Sequence, residues 1–519
     1  MRLHKIMAAA ALLLLAGCGK DTITTVDSSE IGNYEDVEFD GTITVVFSSS
    51  GDASVSGAGD GQTVTISGNG VTIVNSGSEL VQYEVSGTTS NGYLKIYSPA
   101  GQSVVLNGAS ITNPNGAALN LQGASSNPSS GAVTYLVLNG SNTLADGSSY
   151  SNTPTDEDEK GVVFGEGSIT VSGDGSLTVK ASGKSGIVSD DNVTIKGGTV
   201  TVNATSSTFV SNGDTTKVAG VKAKDAFVMN DGTLTITSSG TGAKGMSGDG
   251  TATFNGGTVK ITVTGSNFGS SSGGGGGWPG GGWPGGGHGG GQSSSDNSVA
   301  AKGIKFDGNI TINGGTLTVS ASAHEGIESK GELSITGGNI YSYSAADDAI
   351  NSSSTMTISG GYVCAHATSN DGFDANGNLY IKGGLVYAIG ASSPEMALDA
   401  NTEGGYKLYV QGGTLIAIGG LESGASLAQS CYRASSWSKN TWYSMTVGDA
   451  TYAFKTPSSG GSGLVVSGSS QPSLKSSVSA SGGTEYMNGM LLEGPTVSGG
   501  STVSLSAYSG GNGGGMGGH

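Results

Sequence analysis

Short runs of alternating apolar and polar residues recur along the chain, and a Gly-Gly dyad separates the two runs of each pair. Segments 310–319 and 379–388 show the pattern, with apolar side chains at alternate positions on both sides of the dyad. A period of two places one set of side chains on one face of a β-strand. The pattern therefore predicts pairs of short strands joined by glycine turns.

The dyads recur at a fixed spacing, and this spacing predicts the fold. They end at Gly315, Gly338, Gly361 and Gly384, each 23 residues after the last, and the next ends at Gly413 after a six-residue insertion. A single unit of this size buries almost nothing, whereas stacked units share one apolar core. The sequence predicts an all-β fold: a right-handed parallel β-helix with coils of about 23 residues. An antiparallel β-sandwich would not keep such a fixed spacing.

The same spacing aligns two columns of apolar residues that should point into the core. The first column is Ile310, Leu333, Met356, Leu379 and Leu408. The second column is Leu317, Ile340, Val363, Val386 and Leu415.

Composition shifts divide the chain into segments. We predict a lipoprotein signal peptide (1–17), a linker (18–40), the β-helix (41–420) with a Gly/Ser-rich mobile loop (265–298), a C-terminal β/loop cap (421–508) and a Gly-rich tail (509–519).

The N-terminus carries a basic start and an apolar run that ends in Leu-Ala-Gly-Cys at residues 15–18. The run is too short to span a bilayer as a mature helix. We expect cleavage before Cys18, acylation of its thiol, and anchoring to the outside of a bacterial membrane, at the outer membrane or cell surface. An ordinary cleaved secretory signal is the alternative.

The composition excludes several classes of protein. The formal net charge is −18 and only 12% of residues are charged, which argues against a nucleic-acid binder and a helix-rich enzyme. We expect a monomer. Cys364 and Cys431 either form a disulfide or lie apart as small buried residues.

Acidic residues recur at one turn of successive coils, around Gly326, Ala349, Gly372 and Ala397. Like charges about 4.8 Å apart repel by roughly 3 to 4 kcal/mol at an effective dielectric near 20. Carboxylate, amide and turn carbonyl oxygens suit calcium. The predicted calcium ligands are Glu325, Glu328, Asp347, Asp348, Asn351, Asn370, Asp371, Asp374 and Asp399. A solvated acidic edge with screened charges is the alternative.

Segments 303–308, 324–331, 347–351 and 370–375 resemble the repeat of a bacterial family, the carbohydrate-binding-domain-containing β-helix proteins, which are similar in fold to polysaccharide lyases. The resemblance covers roughly residues 160 to 420. It implies binding of calcium, cellulose and acidic plant polysaccharide such as polygalacturonate. By resemblance, the pairs Asp347-Asp348 and Asn370-Asp371 match the calcium-binding turns of the family. Met396, Lys244 and Lys302 depart from the motif in the same column.

Tyrosines at outward strand positions offer flat rings with a polar tip, which stack on sugars and stay soluble. The predicted carbohydrate contacts are Tyr341, Tyr343, Tyr380, Tyr387 and Tyr409. Tyrosine is also common on exposed strands without any ligand.

These observations predict a non-catalytic, membrane-anchored protein that binds acidic or plant cell-wall polysaccharide with the help of calcium. One alternative is a calcium-dependent polysaccharide lyase with Lys302, Lys305 or Lys330 as the base. Another alternative is a surface adhesin or spacer without sugar specificity.

Overall fold

The computed structural model describes residues 37–510, apart from 128, 130, 152–156, 212 and 270–297. Within these residues the chain forms fifty β-strands and a single 3-10 turn at Met487–Gly489, so the predicted all-β class is confirmed. No helix in this part of the chain has the length and apolar character that crossing a bilayer requires. The signal peptide, Cys18 and most of the Gly/Ser-rich loop lie outside the described residues.

Each coil in the middle of the chain contributes three strands. One coil consists of Ile327–Ser329, Leu333–Ile335 and Asn339–Ser344. Each of these strands pairs in parallel with its equivalent in the next coil, 23 residues further on. We call the three resulting series the first, second and third stack.

The first stack contains Gln62–Ser67, Asn69–Asn75, Gly92–Tyr97, Leu119–Gln122, Gly161–Gly165, Ser185–Ser189, Ala219–Ala223, Lys244–Gly248, Ile304–Phe306, Ile327–Ser329, Ile350–Ser352, Phe373–Ala375 and Leu398–Ala400. The second stack contains Gly41–Phe47, Ser54–Ser56, Val81–Thr89, Gln102–Asn107, Thr134–Asn139, Ile169–Gly173, Asn192–Ile195, Ala226–Met229, Thr251–Phe254, Ile310–Ile312, Leu333–Ile335, Met356–Ile358, Leu379–Ile381, Leu408–Val410 and Ser426–Leu427.

The third stack contains Ser110–Asn113, Ser141–Asp146, Ser176–Ala181, Thr199–Ala204, Thr233–Ser238, Thr258–Val263, Thr316–Ala321, Asn339–Ser344, Tyr362–Ala367, Leu385–Ile389 and Thr414–Ile418. Val81–Thr89 pairs with strands of both the second and third stacks and joins them into one mixed sheet of 29 strands, while the first stack is a separate sheet of 13. Phe209–Ser211 and Asp214–Thr216 pair antiparallel in the segment between the strands Thr199–Ala204 and Ala219–Ala223.

Both predicted apolar columns lie in register inside the stacks. Leu333 pairs with Met356 in the second stack, and Ile340 pairs with Val363 in the third. All ten column residues are buried. The second glycine of each dyad takes a positive φ, for example 77° at Gly315, because the chain bends sharply between the second and third stacks.

The C-terminal segment covers a side of the stacks, which the prediction of a cap did not foresee. Cys431–Ala434, Leu464–Ser467 and Leu505–Tyr508 extend the third stack by antiparallel pairing. The remaining strands form a separate antiparallel sheet, the lateral sheet, in the order Thr484–Tyr486, Leu491–Glu493, Ala450–Lys455, Trp442–Val447, Ser473–Ser481 and Thr496–Val503.

Apolar residues of the lateral sheet pack against the outer face of the third stack. Phe454, Met445 and Leu491 join Tyr387 and Ile416 in a second buried cluster, separate from the main core. Burial of this apolar area holds the lateral sheet on that face.

The two cysteines are free and lie apart. Cys364 belongs to the buried cluster under the lateral sheet, whereas Cys431 packs into the main core. Of the two alternatives, the structure therefore favours separate buried thiols.

Replacing Ile340 with Asp should unfold the protein, because it would bury an unpaired charge in the core column and cost about 4 kcal/mol or more. Val386→Asp in the same column should do the same. Thr357→Asp is the control, because Thr357 faces outward on the second stack. Circular dichroism during thermal unfolding measures the effect, and normal melting of both core variants would contradict the assigned column.

Candidate functional site

The predicted acidic residues lie where the chain passes from the third stack into the first stack of the next coil. We call this edge the corner and include the middle residue of the first-stack strand. Backbone bonds fix its alignment: the Gly326 amide donates to the Asp348 carbonyl, and the Ala349 amide donates to the Asp371 carbonyl, both at 3.1 Å. Residues at one turn position are therefore stacked one per coil.

A second column runs beside the first, along the middle residues of the first-stack strands. Strand pairing places Glu328 next to Asn351, Asn351 next to Asp374, and Asp374 next to Asp399. The alignment of both columns agrees with the spacing in the sequence.

Two of the predicted calcium ligands, Glu325 and Glu328, form ion pairs with lysine. The Lys302 Nζ lies 3.0 Å from the Glu325 carboxylate and 2.6 Å from that of Glu328. The Lys330 Nζ lies 2.5 Å from the other Glu328 oxygen. Burial alone would raise the pKa of Glu328, but the two lysines lower it. Lysine thus neutralises Glu325 and Glu328, which makes these two residues poor candidates for calcium ligands. The better candidates among the predicted ligands lie in the later coils.

His324, Glu325 and Asp347 bring three potential metal ligands within 4.8 Å of one another. The His324 Nδ1 contacts Glu325 and lies 2.7 Å from Asp347. Burial opposes a charge on the imidazole, yet the bonds to both carboxylates raise its pKa to about 9. His324 is therefore protonated at neutral pH, and a metal ion would have to displace that proton.

Asp347 has a further partner in the next coil. The Asn370 Nδ2 donates to its Oδ1 at 2.8 Å. Despite burial, His324 and Asn370 lower the Asp347 pKa. Asp347 is therefore already paired within the chain, with His324 and with Asn370.

The remaining predicted aspartate ligands differ from these residues in lacking a positive partner within the described ranges. Among the described residues, no Lys, Arg or His forms an ion pair with Asp348, Asp371, Asp374 or Asp399. The Asn351 Nδ2 bridges Asp348 and Asp374, at 3.1 and 2.6 Å. We call Asp348, Asp371, Asp374 and Asp399 the uncompensated carboxylates.

Burial and mutual repulsion shift the uncompensated carboxylates in the same direction. Burial, with the nearby charge of Asp399, raises the pKa of Asp371 to about 8 although the Met396 amide donates to it. Burial and neighbouring carboxylates also raise the pKa of Asp348, Asp374 and Asp399. A divalent cation would offset both the burial and the repulsion, because it would pair the buried carboxylates with an opposite charge.

Glu422 extends the second column by one coil, and the sequence analysis missed it. The Leu398–Leu421 bridge is parallel and the Glu422 amide donates to the Leu398 carbonyl at 3.0 Å, so Glu422 follows Asp399 in register. Its carboxyl group bonds to that of Asp399 and raises the Asp399 pKa. The signal was present, because Glu422 lies 23 residues after Asp399.

The structure contradicts the prediction that Tyr387 contacts carbohydrate. Its side chain is fully buried beneath the lateral sheet, and its hydroxyl donates to the Lys455 carbonyl at 2.9 Å. The ring packs edge-on against Phe454. Tyr387 faces outward from the third stack, as the alternation required, but the lateral sheet covers that face.

Tyr380 and Tyr409 form an outward pair whose rings stack on each other. Their centroids are 4.7 Å apart with the planes nearly parallel, and the Lys382 Nζ lies 4.7 Å from the Tyr380 centroid. The Tyr380 ring thus contacts both Tyr409 and the Lys382 ammonium group, and Tyr409 covers one of its faces.

Tyr341 and Tyr343 lie beside a shallow groove between the third stack and the lateral sheet. The groove has a volume of about 270 Å³ and is lined by Lys260, Thr318, Ser320, Tyr341, Tyr343 and Asn488. The Met487 amide donates to the Asn339 side chain at 2.8 Å, which fixes the lateral-sheet turn over this coil. His366 packs at right angles to the Tyr343 ring, with centroids 5.1 Å apart.

The groove and the corner sit on an all-β scaffold of stacked strands, and comparison with known proteins assigns its family. The family model of carbohydrate-binding domain-containing proteins matches residues 60–349 and 307–456, well over half of the chain. This chain belongs to that family.

A solved structure, the polysaccharide lyase-like protein from C. thermocellum in a gadolinium derivative, is 19% identical to this chain. It aligns with a TM-score of 0.36 over 61% of this chain and 96% of that one. No curated protein matches the sequence.

The raised carboxyl pKa values predict how stability depends on pH in the absence of calcium. A folded-state pKa above the unfolded value of about 3.9 means that the folded chain binds the proton more tightly. Ionisation then destabilises the fold, so the melting temperature in chelator should fall between about pH 4 and about pH 9. Asp371→Asn with Asp399→Asn should reduce this fall. Equal pH dependence in parent and variant would contradict the proposed origin.

Proposed function

We propose that this chain is a carbohydrate-binding protein that holds calcium at the uncompensated carboxylates and, through that calcium, binds an acidic polysaccharide. Membership of a carbohydrate-binding domain family supports the carbohydrate ligand. One observation carries the calcium proposal. The four uncompensated carboxylates have no cationic partner among the described residues, whereas lysine neutralises Glu325 and Glu328 in the preceding coil. Strands that stack in parallel with a 23-residue period support a right-handed parallel β-helix as the scaffold.

The proposed ligand set lies within three successive coils. Asp348, Asp371, Asp374 and Asp399 supply carboxylate oxygens, which calcium accepts in flexible numbers and geometries. Asn351 would contribute its amide oxygen after the amide turns over, because its Nδ2 now separates two of the carboxylates. Calcium then replaces the amide hydrogens between Asp348 and Asp374. Coordination positions left open by the protein can accept a uronate carboxylate.

We propose the groove beside Tyr343 as the sugar contact that accompanies the calcium. Tyr343 precedes Asp347 by four residues at the end of a third-stack strand, so the groove opens beside the corner. Tyrosine rings, hydroxyls and the Asn488 amide offer the mixture of flat and polar surface that sugars require.

The contacts of the lysines favour binding over catalysis. A lyase base must be free to accept a proton from the sugar ring. The Lys302 Nζ is committed to two carboxylates. Burial opposes the charge of Lys330, but its bond to Glu328 raises its pKa and makes it a poor base.

Replacing Asp348 and Asp374 with Asn should abolish calcium binding while preserving side-chain shape. In the parent, calcium at about 100 times its dissociation constant should stabilise the fold by about 2.7 kcal/mol. Retention on polygalacturonate should require calcium. Both effects should disappear in the variant, as measured by thermal unfolding and by pull-down in calcium or chelator.

The matched control replaces Asp174 and Asp249 with Asn, because both are exposed and neither forms an ion pair with a described residue. This variant should behave like the parent. A parent that shows no calcium-dependent shift and no retention would leave the corner a solvated acidic edge and favour the spacer. An unsaturated product accumulating with time would instead establish a lyase.

We also propose that acylated Cys18 anchors the chain to the outside of a bacterial membrane, on the basis of the Leu-Ala-Gly-Cys motif. Cys18→Ser should abolish labelling by a fatty-acid analogue and release the protein or leave it uncleaved. Ser28→Ala is the control. Membrane retention of the cleaved Cys18→Ser protein without any label would contradict the anchor.

A further inference from the structure

The two columns that carry the acidic residues carry lysines in the preceding coils. At the turn position, Lys244 and Lys302 precede Glu325, and Ala219 precedes Lys244. In the neighbouring column, strand pairing joins Lys222 to Ser247, Ser247 to Lys305, and Lys305 to Glu328. We call Lys222, Lys244, Lys302 and Lys305 the basic half of the corner. The sign of the corner therefore reverses from one coil to the next, in a chain whose net charge is −18.

Lys244 and Lys302 occupy the same position in successive coils but meet opposite charges. The Gly245 amide donates to the Lys302 carbonyl at 3.0 Å, and the Gly303 amide donates to the Glu325 carbonyl at 3.1 Å, so the offset between coils is the same. Lys302 meets Glu325 and Glu328 in the next coil. The equivalent positions facing Lys244 are Lys302 and Lys305.

Lys244 is buried and has no ion-pair partner in the part of the chain that the structure describes. It is 8% exposed, and its Nζ forms no hydrogen bond or ion pair with any residue in the described ranges. The charges that act on it are Lys302, Lys305 and Lys217, and the opposing charge of Glu328 is already paired with Lys302. Burial and these like charges lower the Lys244 pKa to about 8.

The anions that Lys302 and Lys305 contact among the described residues are already paired with those two lysines. Lys302 is neutralised by two carboxylates, and Lys305 contacts Asp307 on its own strand end. A buried ammonium among like charges is costly unless an anion binds it.

We propose that Lys244, with Lys217 and Lys305 beside it, forms an anion-binding subsite that takes a carboxylate or sulfate substituent of the acidic glycan. The subsite rests on the proposed function for the polymer but uses no calcium. Lys244 donates charge-assisted hydrogen bonds to the substituent. The substituent thus plays the part for Lys244 that the carboxylates of Glu325 and Glu328 play for Lys302.

The position of the subsite gives the polymer a direction along the corner. Lys244 lies three coils before Asp348, which is about 14 Å at about 4.8 Å per coil. An extended acidic chain laid along the axis meets ammonium groups directly at the basic half and meets carboxylates through calcium at the acidic half. The two halves thus bind one kind of polymer by two different routes.

Lys244→Met tests the subsite in the full chain with chelator present, so that the calcium route is closed. The probes are polygalacturonate, dextran sulfate and neutral dextran, measured as retardation in affinity gels. The parent should be retarded by a polyanion and unaffected by neutral dextran. Lys244→Met should weaken binding about tenfold, the equivalent of one charge-assisted hydrogen bond. Retardation by polygalacturonate alone identifies a carboxylate, and retardation by dextran sulfate identifies a sulfate.

Two controls separate the subsite from a general loss of charge or fold. Lys180→Met removes an exposed lysine from a third-stack strand and should bind like the parent. Lys217→Met, also exposed, should weaken binding by about twofold. Lys244→Met should melt no lower than the parent, because it removes an unpaired buried charge.

The calcium-dependent rise in melting temperature should persist in Lys244→Met, whereas Asp348→Asn with Asp374→Asn removes it. Loss of the calcium effect therefore concerns the proposed function and leaves the subsite unaffected. Parent-like polyanion binding by Lys244→Met, or a parent that binds neither polyanion in chelator, would overturn the subsite.

Discussion

Stacking with a fixed period places each side chain about 4.8 Å from its equivalent in the next coil, and the rest of this structure depends on that constraint. Apolar positions benefit, because columns such as Ile340, Val363 and Val386 form a continuous core. Polar amides also benefit: the Asn313 Nδ2 donates to Asn255, and the Asn255 Nδ2 donates to Asn230, each at 2.9 Å. Charged positions are the exception, because stacking places residues of the same charge next to one another.

The corner contains three different arrangements of stacked charges. Where the sign changes, Lys302 and Lys330 pair with Glu325 and Glu328, and the two positive charges cancel the two negative ones. Before that point, the equivalent positions facing Lys244 are Lys302 and Lys305, and beyond it the aspartates face one another. The uncancelled columns are therefore suited to ligands of opposite charge, an anionic substituent on one side and calcium on the other. Under the proposed function, one acidic polysaccharide would bind to both without a change in the fold.

The spacing of the sequence predicted the parts of the structure that repeat. The all-β class, both apolar columns and the stacking of Asp348 on Asp371 follow from a 23-residue period. Glu422 also follows the 23-residue period, but it was missed because the regularly spaced glycine dyads end before it. Which side chains neutralise one another could not be predicted, since the pairing of Lys302 with Glu328 depends on side-chain reach between coils.

The lateral sheet marks the limit of sequence analysis in this chain. The alternation of apolar and polar residues correctly predicted that Tyr387 faces outward. It carries no information about the lateral sheet of residues 442–503, which covers that face. Tyr380 and Tyr409 were aligned correctly, and their stacking on each other follows from the same period that aligned them. Non-local packing decided which outward tyrosines remain available to a sugar.

A crystal structure grown with calcium tests the central claim most directly, because it shows where the cation binds. We expect calcium between Asp348, Asp371, Asp374 and Asp399, with oxygen ligands at about 2.3 to 2.6 Å and the Asn351 amide turned to present its oxygen. We also expect the Lys302 ion pairs with Glu325 and Glu328 to remain. An acidic corner without calcium at saturating concentration, or calcium bound only at His324, Glu325 and Asp347, would contradict the account.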